Sequence, residues 1–385
     1  MKKRGLIIFL LIVLLISLFT MPVLALGESR GVAVEGEAIG EDWQHFLDTI
    51  PDELRDVLPE GFFTSDMASV GESVREASAF SAILRVIGRL TGVAIKQNLT
   101  LLASMAGVLV LAATLGAFFE KKSSVSRAFD FAVCLTTAVL IFALCATRFD
   151  EIAAYFDTVS ALCVAILPLM GVLYAMGGNV GAAVANHGVM SAFLVVLEKV
   201  FAASVVPVAS LCLLLALIEA VSGNISLRSL TTLVRRTFTW VLSLLMLVLS
   251  FVLGVQQTLA KGADTLALRT VRFAAGSFLP VVGGSIGESL RTVAGSVTYL
   301  RATVGMGGIL VLFFAFLPMF LSVLFTRITF LLGGAMAGML SLPREERLLG
   351  EFASVFGYFL AVIAALFVMI FFSLTLMAHC AAAVG

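Results

Sequence analysis

Residues Phe278–Arg291 read FLPVVGGSIGESLR, and this stretch decides how the fold is read. Pro280 removes a backbone donor, and Gly283 and Gly284 follow within one turn, so the sequence predicts a break in helical structure here. The surroundings are membrane-like: of 385 residues, 60% are hydrophobic and 13% charged. In a bilayer a broken backbone persists only where protein or a water-lined cavity satisfies the freed N–H and C=O groups. The stretch therefore marks protein-buried or cavity-lining backbone in a polytopic, all-α membrane protein.

Charge is unevenly placed. From Gly27 to Lys96 thirteen acids face six bases, while the whole chain has a formal net charge of zero. That acidic segment reads as the soluble part, and the absence of a basic, aromatic-interleaved patch gives nucleic-acid binding no electrostatic support. The five cysteines (Cys134, Cys145, Cys163, Cys212 and Cys380) all lie in apolar stretches and show neither a disulfide framework nor metal-ligand spacing.

Along the chain, the basic Met1–Arg4, the apolar Leu6–Phe19 and Val23-Leu24-Ala25 have the pattern of a secretory signal over residues 1–25. Cleaved, it leaves residues 26–59 as an acidic extracytoplasmic segment; retained, it is an extra anchor of the same orientation. Apolar residues recur at helical spacing from Val74 through Phe80 to Leu90, with Arg75, Arg85, Arg89 and Lys96 off that face. This predicts a helix packed on the rest of the protein. Expected spans are Leu99–Phe119, Phe129–Thr147, about Met190–Ala216, Phe238–Val255, Val304–Phe325 and about Phe352–Ala378. Lys121, Lys122 and Arg127 put the first connection in the cytoplasm.

Internal similarity organises these spans. A shift of about 112 residues places Leu167, Pro168 and Gly171 on Leu279, Pro280 and Gly283. One of about 216 places Gly71-Glu72-Ser73 and Arg75 on Gly287-Glu288-Ser289 and Arg291. Three repeats follow, at 60–149, 150–262 and 263–385. Each is read as an external broken or re-entrant helical hairpin, a span inward and a span outward, six spans in all. The bases of residues 261–301 run against the external placement of the third hairpin.

The FLPVVGGSIGESLRTVAGS run at Phe278–Ser296, the signal and the acidic external segment resemble the stage III sporulation protein AE family. The resemblance implies a multi-pass subunit of a channel-like complex between mother cell and forespore, in the mother-cell membrane around the forespore and required for late forespore development. It also implies other stage III sporulation membrane proteins as partners, with stage II sporulation protein Q across the intermembrane space. It implies no catalytic residue and no cofactor.

Within the membrane-like stretches, Asp130, Glu198, Lys199, Glu219 and Arg327 are ionisable, and a charge near the bilayer centre must be paired or wet. Glu198 and Lys199 point about 100° apart on a helix, so each needs its own partner. His187, in a Gly-rich break, is either a proton relay or a hydrogen-bonded structural histidine. Glu288, like Glu72, suits a helix N-terminus as a cap. Pro168, Gly171, Pro280, Gly283 and Gly284 are the candidate breakpoints, and with His187, Glu198, Lys199 and Glu288 they complete the candidate structural or pathway set. No nucleophile elbow, P-loop or HExxH helix occurs, which argues against an enzyme. The competing reading is a secondary transporter with its solute site at the Gly/Pro-broken hairpins.

Overall fold

A computed structural model describes residues 43–55, 58–64, 66–118, 124–176, 203–222, most of 229–251, and 283–382. The described residues are helical without strands. The principal helices are α1 (Met67–Ala77), α2 (Phe80–Gly116), α3 (Ser124–Met176), α4 (Ala203–Ser222), α5 (Gly283–Met339) and α6 (Pro343–Ala382). At about 1.5 Å per residue, α2, α3 and α5 are far longer than the roughly 30 Å of a hydrocarbon core.

α5 is the axis of the bundle, packed along α6 and against α1, α2 and α3. From Thr303 to Leu317 every residue of α5 is buried, on all faces of the helix. Small residues make this possible. A Cβ on Gly307 would stand 2.7 Å from Trp43 Cη2 and 3.4 Å from Val74 Cγ2, and one on Gly308 would collide with Ile166. Adjacent glycines thus let α5 be flanked by the N-terminal residues and by α3 at one level. Glycine costs a helix about 1 kcal/mol against alanine, and the close packing offsets it. Along the α5–α6 seam aromatic rings interlock: Phe316 stacks on Phe367 at 4.2 Å, and Phe330 on Phe356 at 5.4 Å.

The described residues from Trp43 to Phe62, at the end of the acidic segment, form a small packed unit. Trp43, Phe46 and Phe62 are fully buried, and the Trp43 indole N–H donates to the Phe62 carbonyl at 2.9 Å. This contact crosses residue 59, where composition drew a boundary. The helix expected to run through Val74 and Phe80 is two helices. Ser78 ends α1, and Ala79 is extended at φ −62°, ψ 132°. The register changes across this joint, so Val74, Ala77 and Ile83 are buried while Phe80 is 61% exposed.

Two expected interruptions do not occur. α3 passes through Pro168 and Gly171 as continuous helix to Met176, so the chain does not turn back at those residues. A mid-helix proline costs about 3 kcal/mol. Here Leu162, Cys163, Ile166 and Leu169 are buried on both sides of an exposed Pro168, and their packing holds α3 together. Arg327, read as a span end, likewise lies within α5.

Candidate functional site

The apolar bundle is crossed by one polar layer, shared by α2, α3 and α5. Arg148 of α3 is its hub. Its Nη1 donates to Glu151 Oε2 at 2.7 Å and to Ser322 Oγ of α5 at 3.1 Å, and its Nη2 donates to Gln97 Oε1 of α2 at 3.3 Å. One turn further along α5, Thr326 Oγ1 lies 3.0 Å from Asn98 Oδ1 and 2.8 Å from the Ser322 carbonyl, so a single hydroxyl proton serves both acceptors. Asn98 Nδ2 donates to the Ala94 carbonyl at 2.9 Å, and both Asn98 and Thr326 are buried. The Arg327 guanidinium lies over Gly357 of α6, where a Cβ would come within 3.0 Å of Cζ.

Chemically this arrangement holds helices in register. Arg148 is a fixed fork whose donors are spent on three neighbours, and the layer contains no nucleophile paired with a base. Among the described residues no three His, Cys, Asp or Glu side chains gather as metal ligands. Near the layer a pocket between Tyr155, Val159, Ile309, Phe316 and Phe367 holds about 10 Å³, room for one water at most, and is apolar.

The buried pair gives a direct test. Thr326→Val alone leaves the buried Asn98 Oδ1 without its donor and is expected to lower stability by about 1–3 kcal/mol, while Asn98→Leu, which leaves the Thr326 hydroxyl its bond to the Ser322 carbonyl, should cost less. The double change removes donor and acceptor together and should cost less than the two single losses added. Thermal unfolding of the four proteins checks this, and strict additivity would show that the pair does not interact.

Of the residues singled out in sequence, Pro168 and Gly171 lie mid-helix in α3. α5 begins at Gly283, so Gly283 and Gly284 are its first two residues and Glu288 its sixth. Glu72 is likewise the sixth residue of α1, and the cap of that helix is Asp66, which accepts from the Ala68 and Ser69 amides at 3.1 and 3.3 Å. The Asp-Met-Ala-Ser start was the available signal for this cap. Pro280, His187, Glu198 and Lys199 lie outside the described residues. Asp130 lies in α3, and Glu219 is half-buried in α4. Sequence reasoning passed over Gln97, Asn98, Ser322 and Thr326. Gln97 and Thr326 adjoin Lys96 and Arg327 at the ends of apolar runs, which was an available signal, whereas Asn98 and Ser322 have no charge beside them.

Four of the described helices are long and apolar enough to cross a membrane: Phe80–Gly116 and segments within α3, α5 and α6. Such lengths and compositions are the make-up of a helical membrane protein. The chain belongs to the stage III sporulation protein AE family, whose family model matches residues 66–381. It is similar to stage III sporulation protein AE of Bacillus subtilis (strain 168), at 23% identity over 294 residues that cover 74% of this chain and 71% of that protein. Family membership supports a role in sporulation. No solved structure matches the chain.

Proposed function

We propose that this chain is a membrane subunit of the channel-like complex that links mother cell and forespore, required for late forespore development. The observation that carries the reading is the family match over residues 66–381, on a chain that holds four helices of membrane-crossing length and composition. It acts as a structural or conduit component rather than an enzyme. Its site is the mother-cell membrane around the forespore, with the mature N-terminus extracytoplasmic after a signal over residues 1–25. Six spans in three repeats remain the proposed topology. α1 starts at Met67 and α5 at Gly283, 216 residues apart, which is the spacing that aligned the two Gly-Glu-Ser runs and supports a duplicated unit. Partners are the other stage III sporulation membrane proteins, with stage II sporulation protein Q across the intermembrane space.

A solute transporter would need a wet central site. The family match favours the subunit reading, and the polar layer among the described residues spends its hydrogen bonds between its own members. Deleting the chain in its native host is expected to leave forespore engulfment intact and abolish a late forespore reporter, with restoration by the full chain. Normal reporter expression in the deletion, or saturable solute uptake by the purified chain alone in liposomes, would overturn the proposal.

A further inference from the structure

We infer that the bilayer encloses only the half of the bundle between the polar layer and the α5–α6 turn, and that the other half stands clear of the membrane. This rests on the membrane reading above, keeps the number of spans, and moves those expected at Val304–Phe325 and Phe352–Ala378 to the parts of α5 and α6 that flank their turn. The two halves differ in what they expose. Beyond Asn98 the chain carries no charged residue from Leu99 to Phe118, and the helical part of that run, ending α2 at Gly116, is about 27 Å long, close to the thickness of a hydrocarbon core. It shows Val110, Leu111, Leu115 and Phe118 outward. α3 has none from Phe131 to Thr147 and exposes Phe131, Leu135, Val139 and Phe142. α5 exposes Ile328, Leu331 and Leu332 on the same side of the layer. These are apolar side chains on three neighbouring helices, and none of the described residues buries them.

The other half also exposes apolar residues, among them Phe80, Leu84, Val93 and Val164, but sets ionised groups of both signs beside them. α1 exposes Glu72, Arg75 and Glu76; α2 exposes Arg85, Arg89 and Lys96; α3 exposes Asp150, Glu151 and Asp157. Ionised groups of both signs spread over three helices cannot face hydrocarbon without a cost of several kcal/mol each. The most apolar part of α5 in this half, Thr303–Leu317, is buried on every face, so protein and not lipid accounts for its composition. Lengths fit the same boundary. Asn98 meets Thr326, and a Cβ on Gly333 would meet Met105, so α2 and α5 run level from the layer onward. α5 then ends at Met339, about five residues short of the end of α2, and Arg344 and Arg347 follow where long basic side chains reach an interface.

Collision measurements on nitroxide labels test the boundary. The full chain is reconstituted in phosphatidylethanolamine–phosphatidylglycerol vesicles with a label at Arg89→Cys, Asp157→Cys, Leu111→Cys or Val139→Cys. Cys134, Cys145, Cys163 and Cys212 are buried, so Cys380→Ser completes the background. Dissolved oxygen is expected to outweigh a water-soluble nickel chelate as relaxant at 111 and 139, and the ratio should invert at 89 and 157. Oxygen dominance at 89 and 157 would overturn the inference. So would exclusion of both relaxants at 111 and 139, which would mean that protein, such as a second copy, covers that face. Chelate dominance at all four sites, with a chain that fails to float with the vesicles, would overturn the membrane reading itself. Arg85→Cys and Leu115→Cys, each about one turn away, replace any variant that does not reconstitute.

Discussion

Gly307→Val is expected to detach the N-terminal unit from the bundle. Even a bare Cβ at this position would sit 2.7 Å from Trp43 Cη2, and the ring has no room to retreat, because Phe46 and Phe62 flank it and its N–H is held by the Phe62 carbonyl. Overpacking in such a site costs about 1–3 kcal/mol and can exceed that. Valine adds two methyl groups beyond a Cβ that already clashes, so its strain is expected to exceed the roughly 3–5 kcal/mol at stake in the burial of Trp43 against α5, and undocking becomes the less costly outcome. The readout is Trp43 emission in a Trp240→Phe background, Trp240 being the second tryptophan and 68% exposed. A red shift together with new proteolytic cleavage between residues 43 and 77 is expected. Gly307→Ala separates sterics from helix propensity, since alanine favours the helix. It should destabilise the native protein yet be tolerated alongside Trp43→Phe, whose smaller ring leaves space. Equal behaviour of Gly307→Ala with either ring would refute the close-approach account.

The all-helical character and the four membrane-length apolar runs, on α2, α3, α5 and α6, were legible because an unbroken apolar stretch of about 20 residues has few other uses. What escaped was continuity. Pro168 and Arg327 each carry a local penalty against buried helix, and each is overruled by neighbours distant in sequence. Buried α3 residues on either side hold the helix through Pro168, and Gly357 of α6 leaves room for the Arg327 guanidinium. At Ser78–Ala79 the opposite happened: a break occurs with neither Gly nor Pro to announce it. Composition also could not separate two kinds of apolar helix. Val304–Leu317 and Leu99–Phe118 look alike as strings, yet the first is enclosed by protein and the second faces outward. The polar layer was hidden for a related reason, since Gln97, Arg148 and Ser322 meet only once three helices are in register.

Arg148→Leu is expected to be the most damaging change within that layer. Its side chain is 19% exposed, so most of the guanidinium is out of water. Its loss leaves Gln97 Oε1 without its donor, takes a donor from Ser322 Oγ, and leaves Glu151 without its counter-ion. Hydrogen bonds to a charged group contribute about 1.5–3 kcal/mol, which sets the scale of the loss. The Glu151 and Gln97 shares are small, because both side chains are exposed and rehydrate, so the partly buried bond to Ser322 carries most of the loss. Glu151→Gln should therefore cost no more than about 1 kcal/mol. Arg148→Lys keeps the charge but not the two-pronged geometry that spans α2 and α5, so it should fall between the two. Thermal unfolding in one detergent orders the three variants, and equal losses for Arg148→Leu and Glu151→Gln would mean that the ion pair, not the three-helix bridge, is what Arg148 supplies. Combining Arg148→Leu with Gln97→Leu and Ser322→Ala separates stability from register. An apolar layer can recover the lost stability, because no polar group is then stranded. It cannot specify how far α2 and α3 slide along α5. Cross-linking of Met105→Cys to Gly333→Cys, which lie together only in the native register, should then weaken even where the melting temperature returns.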